Sequence, residues 1–138
     1  MNTRLLATRI ASGSTLAASV LASTACTVQT TAAPPPMGQL TVDWTIDEST
    51  DPNLCSQSAA VSLHIHVDEV TGNAVGDFSF DCTAGGGTID LDQRNYEAQA
   101  WFEDSGGANR TPMDSIPTFA ITSVPVSVSV DFPANSFN

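Results

Sequence analysis

Two histidines separated by one residue are the strongest indication of chemistry in this sequence. In the run 61–68, His64 and His66 alternate with apolar residues. Because successive side chains of a β-strand point to opposite faces, both imidazoles are predicted to lie on one polar face. An H-x-H pair in this arrangement can chelate a transition metal. The alternative is a solvent-facing ladder in which His64 pairs with a carboxylate of the neighbouring strand.

The segment after these histidines predicts a hairpin that would bring carboxylates to them. Gly72-Asn73 has the composition of a two-residue β-turn. This turn also puts three apolar pairs in register on the opposite face, which supports it. The opposed pairs on the polar face are then His64 with Asp81, His66 with Ser79, and Asp68 with Asp77. We therefore expect any divalent-metal site to be formed by His64, His66 and Asp81, with Asp68 and Asp77 as further possible ligands.

A later strand offers a second candidate site. Its apolar residues alternate over 96–102, so Trp101 is predicted to point to the polar face. An aromatic ring there can stack on a sugar or on a partner protein. The alternative is that a neighbouring strand covers the ring. A weaker candidate, for calcium at loop ends and without EF-hand spacing, is formed by Asp90, Asp92, Glu103 and Asp104.

The first 25 residues are predicted to be a cleaved export signal. Arg4 and Arg9 give it a positive start, and residues 16–22 form a short apolar stretch followed by small residues. The apolar stretch is too short to span a bilayer as a helix.

The signal ends in a motif that indicates lipid attachment. Residues 21–26, LASTAC, resemble the lipobox of bacterial lipoproteins, in which the cysteine is lipidated and becomes the first residue. The resemblance implies lipid on Cys26, and Thr27 after it favours the outer membrane. Ser23 stands where the family usually has Leu, which leaves ordinary cleavage after Ala25 or Ala33 as the alternative.

The number of cysteines agrees with this assignment. An exported chain with three cysteines has one left over after pairing. If Cys26 carries lipid, Cys55 and Cys82 form a disulfide and no free thiol remains. Closing a loop of about 28 residues stabilises a fold by roughly 3–4 kcal/mol in the chain-entropy model. Export would provide the oxidising compartment that the bond requires.

The rest of the chain is predicted to be a tether and one domain. Residues 26–38 lack periodicity, and their three consecutive prolines favour an extended polyproline II spacer. Residues 39–138 are long enough for a single domain of about 100 residues. They show no G-x-S-x-G elbow and no Gly-rich loop before a helix. We therefore expect a non-enzymatic protein without a cofactor.

The net charge of the chain limits the classes of partner that it can bind. All 15 acidic residues lie beyond Cys26, where the basic residues are Arg94 and Arg110, so the net charge there is 2 − 15 = −13. Such a surface repels phosphate backbones, which excludes nucleic acid as a partner. It cannot hold an anionic bilayer by charge, so membrane attachment has to come from the lipid anchor. A protein or a glycan remains open as the partner.

The hydropathy pattern predicts an all-β fold. From Gln39 onward, short segments alternate with period two, turn residues separate them, and no segment has a helical period. About seven such strands predict a single antiparallel β-sandwich. Pro125 favours an edge position for the last strand.

The same segments carry a family resemblance. The run from GQLTVDWTI through two cysteines to VSVSVDFPANSF, residues 38–137, is similar to small secreted bacterial lipoproteins with a prealbumin-like or immunoglobulin-like sandwich. The resemblance implies a fold and a cell-envelope location and brings no catalytic residues. We therefore expect an accessory or interaction module, with a carbohydrate-binding module and a divalent-metal-binding protein as alternatives.

Overall fold

The computed structural model describes residues 32–138, which contain seven β-strands and one short α-helix. The strands are β1 (Met37–Ile46), β2 (Ser62–Glu69), β3 (Ala74–Asp81), β4 (Gly86–Asp92), β5 (Asn95–Glu103), β6 (Asp114–Ala120) and β7 (Val126–Phe132). The helix α1 (Asn53–Gln57) lies in the connection between β1 and β2. At one turn, this helix is too short to show a helical period in the sequence.

The strands form two sheets, in the orders β4-β1-β7 and β3-β2-β5-β6. The all-β sandwich prediction is therefore confirmed, and β7 lies at a sheet edge as Pro125 indicated. One pair departs from the antiparallel expectation, because β1 pairs with β7 in parallel from Leu40–Val126 to Ile46–Phe132. All other strand pairs are antiparallel.

The core lies between the inner faces of the two sheets. Phe102 on β5 packs edge-on against Phe132 on β7, with ring centroids 4.8 Å apart. At one side of the sandwich, Phe80 on β3 covers Gly87 on β4, where a Cβ atom would come within 2.4 Å of its ring. The central buried residues, whose alternation produced the strand predictions, are Leu40, Val42, Trp44, Leu63, Ile65, Val67, Ile89, Leu91, Tyr96, Ala98, Ala100 and Phe102.

The predicted register of the β2–β3 hairpin is wrong by two residues. The turn is longer than Gly72-Asn73, because the Glu69 amide donates to the Asn73 carbonyl. A β-bulge follows Val67, so that Asp68 pairs with Ala74. From Ser62 to Val67 the shift is even, so the side chains there keep their predicted faces but have different partners across the strands. The observed partners are Ser62 with Asp81, Leu63 with Phe80, His64 with Ser79, Ile65 with Phe78 and His66 with Asp77.

Two valines that share a period-two pattern with buried residues lie outside the core. Val61 is 49% exposed because β2 begins at Ser62, and Val124 is 67% exposed because β7 begins at Val126. Alternation predicts which residues share a face within a strand, but it does not show where the strand begins.

The predicted disulfide between Cys55 and Cys82 is present, with Cα atoms 5.9 Å apart. It joins α1 to the 3-10 helix that follows β3. Both cysteines are buried, and the indole Nε1 of Trp44 donates to the Cys82 carbonyl at 3.0 Å. The bond therefore fixes the α1 segment against a core residue of β1.

Candidate functional site

The outer face of the four-stranded sheet carries both predicted site elements. On β2, the buried residues Leu63, Ile65 and Val67 force the residues between them outward. The same alternation on β5 buries Ala98, Ala100 and Phe102. The two central strands pair so that His64 lies beside Trp101, His66 beside Gln99, and Asp68 beside Glu97.

Trp101 and His64 form a stacked pair of rings across these strands. Their centroids are 5.8 Å apart and their planes differ by 23°. One carboxylate fixes both rings, because Trp101 Nε1 donates to Glu103 Oε1 at 2.8 Å while His64 Nε2 lies 3.0 Å from Glu103 Oε2. Ser79 Oγ lies 3.3 Å from the same imidazole nitrogen. The orientation of the partly exposed indole is thus fixed before any ligand arrives.

His66 lies between two carboxylates. Its Nδ1 is 2.7 Å from Asp77 Oδ1 on β3, and its Nε2 is 3.2 Å from Asp68 Oδ2 on its own strand. The hydrogen bond with Asp77 is the main reason that the pKa of His66 is raised above its ordinary value. Burial opposes this change as the second-largest effect, and the nearby charges of Asp68 and Asp77 raise the pKa further.

Asp81, the third residue of the predicted metal site, is not beside the histidines. It pairs with Ser62, and its Oδ1 accepts from the backbone and the hydroxyl of Thr83. These bonds lower the pKa of Asp81. The longer hairpin turn is the physical reason for this displacement. Among residues 32–138, no three or more His, Cys, Asp or Glu side chains are placed to hold a metal ion.

A cleft lies on the same outer face, next to the ring pair. Its volume is about 320 Å³. The pairing of β5 with β6 shifts register between Tyr96 and Ala98, and bulges of this kind change the direction of neighbouring side chains. The cleft is lined by His66, Asp68, Glu97, Ala98, Gln99, Ser115 and Ile116.

The alternation of β5 predicts Trp101 on the polar face but does not by itself identify the residue that fixes its ring. Glu103 is two residues further along β5, so the same period-two argument puts it on the same face. The sequence also contained no indication of Ser115 as a site residue, because its position beside Gln99 depends on the pairing of β5 with β6.

The predicted lipidation site, Cys26, and the export signal lie outside the described residues. Of the predicted tether, the described residues before β1 have no regular secondary structure and are exposed. Within residues 32–138, no helix has the length and apolarity needed to cross a membrane.

The fold defines the domain as a disulfide-containing β-sandwich. No family model matches the chain, and no curated protein matches it. Among solved structures, it is similar to part of the TIE protein of Bacillus anthracis, with 13% identity, a TM-score of 0.49, and coverage of 70% of this chain and 17% of that one.

Two further solved structures are similar at a comparable level. A DUF1812 protein from Bacteroides thetaiotaomicron has 11% identity and a TM-score of 0.43, with 67% of this chain and 46% of that one covered. GBS52, the minor pilin of Streptococcus agalactiae, has 14% identity and a TM-score of 0.43, with coverages of 70% and 44%. The chain spans less than half the length of each of these three proteins.

Proposed function

We propose that this protein is a non-enzymatic interaction module of the bacterial cell envelope, exported and attached through a lipid on Cys26. Its β-sandwich binds a partner with the outer face of the four-stranded sheet. The observation that carries the proposal is the ring pair on that face, in which one carboxylate orients both Trp101 and His64. Rings that are already oriented lose little conformational entropy when a partner binds.

Two features support the envelope location. The disulfide between Cys55 and Cys82 requires an oxidising compartment, which export provides. The motif at residues 21–26 has the pattern of a lipid-attachment site. Residues 32–36 have no regular secondary structure and are exposed, which suits a spacer between an anchor and the sandwich. We assign the anchor to the outer membrane on the basis of Thr27.

Metabolic labelling with a radioactive fatty acid tests the anchor. Cells that produce the wild-type chain are expected to yield a labelled band, and cells that produce Cys26→Ser are expected to yield none. Comparable labelling of the Cys26→Ser chain would overturn the lipid assignment. Fractionation of the labelled membranes then tests the outer-membrane location.

Site-specific photo-crosslinking in intact cells tests the binding face. A photoreactive amino acid in place of Gln99 reports on the outer face of the four-stranded sheet, and one in place of Ser127 reports on the exposed face of the other sheet. We expect discrete crosslinked products from position 99 only. Equal products from both positions, or none from position 99, would count against the proposed face.

A further inference from the structure

We infer that the ligand of this outer face is a neutral oligosaccharide, which lies along β5 with one sugar ring on Trp101 and the next in the adjacent cleft. The inference rests on the proposed function, because it names the partner class of the same face. What carries it is the juxtaposition of a fixed aromatic ring with a polar cleft on one strand. Trp101 and Gln99, which lines the cleft, are two residues apart on the same face of β5.

The aromatic ring provides the stacking surface. The apolar C–H face of a pyranose packs on an indole, which combines an apolar body with a polar edge. One face of the Trp101 ring is stacked on His64, and its Nε1 is bonded to Glu103. Trp44, the other tryptophan of the chain, is buried in the core with 3% exposure.

The cleft provides the hydrogen-bonding groups that sugar hydroxyls require. Glu97 supplies acceptors, Gln99 supplies donors and an acceptor, and the Ser115 hydroxyl does both. Within residues 32–138, the side chains of these three residues have no hydrogen-bond partner, so they are free to bond a ligand. A volume of about 320 Å³ lies at the lower end of the range for small-molecule pockets, about 300–1,000 Å³.

The negative charge of this face favours neutral glycans over anionic ones. Asp68 and Glu97 line the cleft, and Asp77 and Glu103 lie on the same face. A uronate, sialylated or phosphorylated polymer would be repelled by these carboxylates.

Acidity is spread over the whole domain, so charge alone would not direct a cationic partner to this face. The ring and the cleft are features of this face in particular, and both suit a neutral polyol.

Affinity gel electrophoresis of the full chain, solubilised in mild detergent, tests the inference. The gels contain a soluble neutral polysaccharide (glucan, xylan or galactomannan) or an anionic one (alginate or polygalacturonate). We expect at least one neutral polymer to retard the protein and the anionic polymers to have no effect. Trp101→Ala is expected to weaken retardation about tenfold, and Trp101→Phe to keep most of it. Gln99→Ala is expected to weaken it less than Trp101→Ala.

Ser127→Ala, on the other sheet, is the matched control and should bind like the wild type. Urea denaturation of each variant separates lost binding from lost folding. Retention by no neutral polymer, a preference for anionic polymers, or full retention of folded Trp101→Ala would overturn the inference. If position 99 still gives crosslinked products in cells while no glycan is bound, the proposed function stands and the ligand class is wrong.

Discussion

At the scale of single residues, the position of His66 between Asp68 and Asp77 couples its protonation to the stability of the sheet. The pKa of His66 is raised, mainly by its hydrogen bond with Asp77. A group with a raised pKa in the folded state stabilises the fold fully below its unfolded pKa, about 6.5 for histidine. That contribution is lost as the pH rises through the higher folded-state pKa.

We therefore predict that His66→Gln lowers the urea midpoint more at about pH 5.5 than at about pH 8.5. At the higher pH a smaller fraction of the wild-type imidazole is protonated, so its attraction to Asp68 and Asp77 contributes less to stability. NMR titration of the His66 ring in Asp77→Asn gives the matched control, since removing that carboxylate should lower the pKa of His66. An equal loss of stability at both pH values would contradict the prediction.

The individual residues of the site also show which of its features could be predicted from the sequence. Alternation alone placed His64, His66 and Trp101 on the polar face, and the structure has all three there. Alternation did not predict that Glu103 fixes the two rings. Glu103 contacts His64 across the pair of strands β2 and β5, and the register of that pair cannot be read from alternation.

At the scale of elements, the tight turn after β1 carries backbone strain that a glycine would relieve. Asp47 and Glu48 have φ values of 54° and 58°, and the Ile46 and Ser49 backbones bond each other in both directions. A two-residue hairpin turn with both central residues left-handed favours Asn-Gly or Asp-Gly, since Gly has no Cβ penalty there. The amide of Glu48, which donates to Asp131, would be kept.

We predict that Glu48→Gly raises the free energy of unfolding by about 0.5–1 kcal/mol. Glu48→Ala is the matched control, because it removes the same charge and side chain but keeps the Cβ atom. Urea denaturation of both variants is the measurement. A gain in Glu48→Ala as large as in Glu48→Gly would show that charge, and not backbone strain, is relieved.

The disulfide is the element-scale feature with the largest expected contribution. Cys55 and Cys82 are 27 residues apart in sequence, and their bond fixes α1 beside Trp44. We predict that Cys55→Ala/Cys82→Ala loses roughly 3–4 kcal/mol of unfolding free energy, since the unfolded chain regains the freedom of that loop. Reductant should destabilise the wild type and leave the variant unchanged. A loss below about 1 kcal/mol would contradict the prediction. It would indicate that the unfolded chain without the disulfide keeps residual structure, or that the disulfide strains the folded protein.

The β2–β3 hairpin shows why the register of this element was not predictable from its turn residues. Glu69 organises a longer loop, accepting bonds from Thr71, Asn73 and Arg94. These bonds, led by the one from Asn73, lower the pKa of Glu69. A carboxylate in position to accept three bonds outweighs the local preference of Gly72-Asn73 for a two-residue turn.

At the scale of the whole molecule, strand number and the two-layer architecture followed from the sequence, but the strand order did not. β1 lies between β4 and β7, so the N-terminal strand of the described chain pairs in parallel with its last strand. A parallel pair needs no turn between its strands. No local pattern in the sequence therefore predicts this pair, and none predicts the inter-sheet contact of Phe102 with Phe132.

Net charge also acts on the molecule as a whole. The chain beyond Cys26 carries 15 carboxylates against two arginines, a net charge of 2 − 15 = −13, and folding brings these like charges closer together. Salt screens this repulsion, since the Debye length falls from about 30 Å at 0.01 M to about 3 Å at 1 M. It also weakens exposed ion pairs such as Arg94 with Glu69, but pairs of this kind are worth little.

We predict that raising NaCl from about 0.01 M to 1 M at neutral pH increases the unfolding free energy by about 1 kcal/mol, as measured by urea denaturation. The internal control is the same pair of salt concentrations near pH 4, close to the ordinary pKa of carboxyl groups. With much of the negative charge neutralised there, the salt effect should be clearly smaller. A protein that salt destabilises at neutral pH would show that its few attractive pairs outweigh the repulsion among its carboxylates.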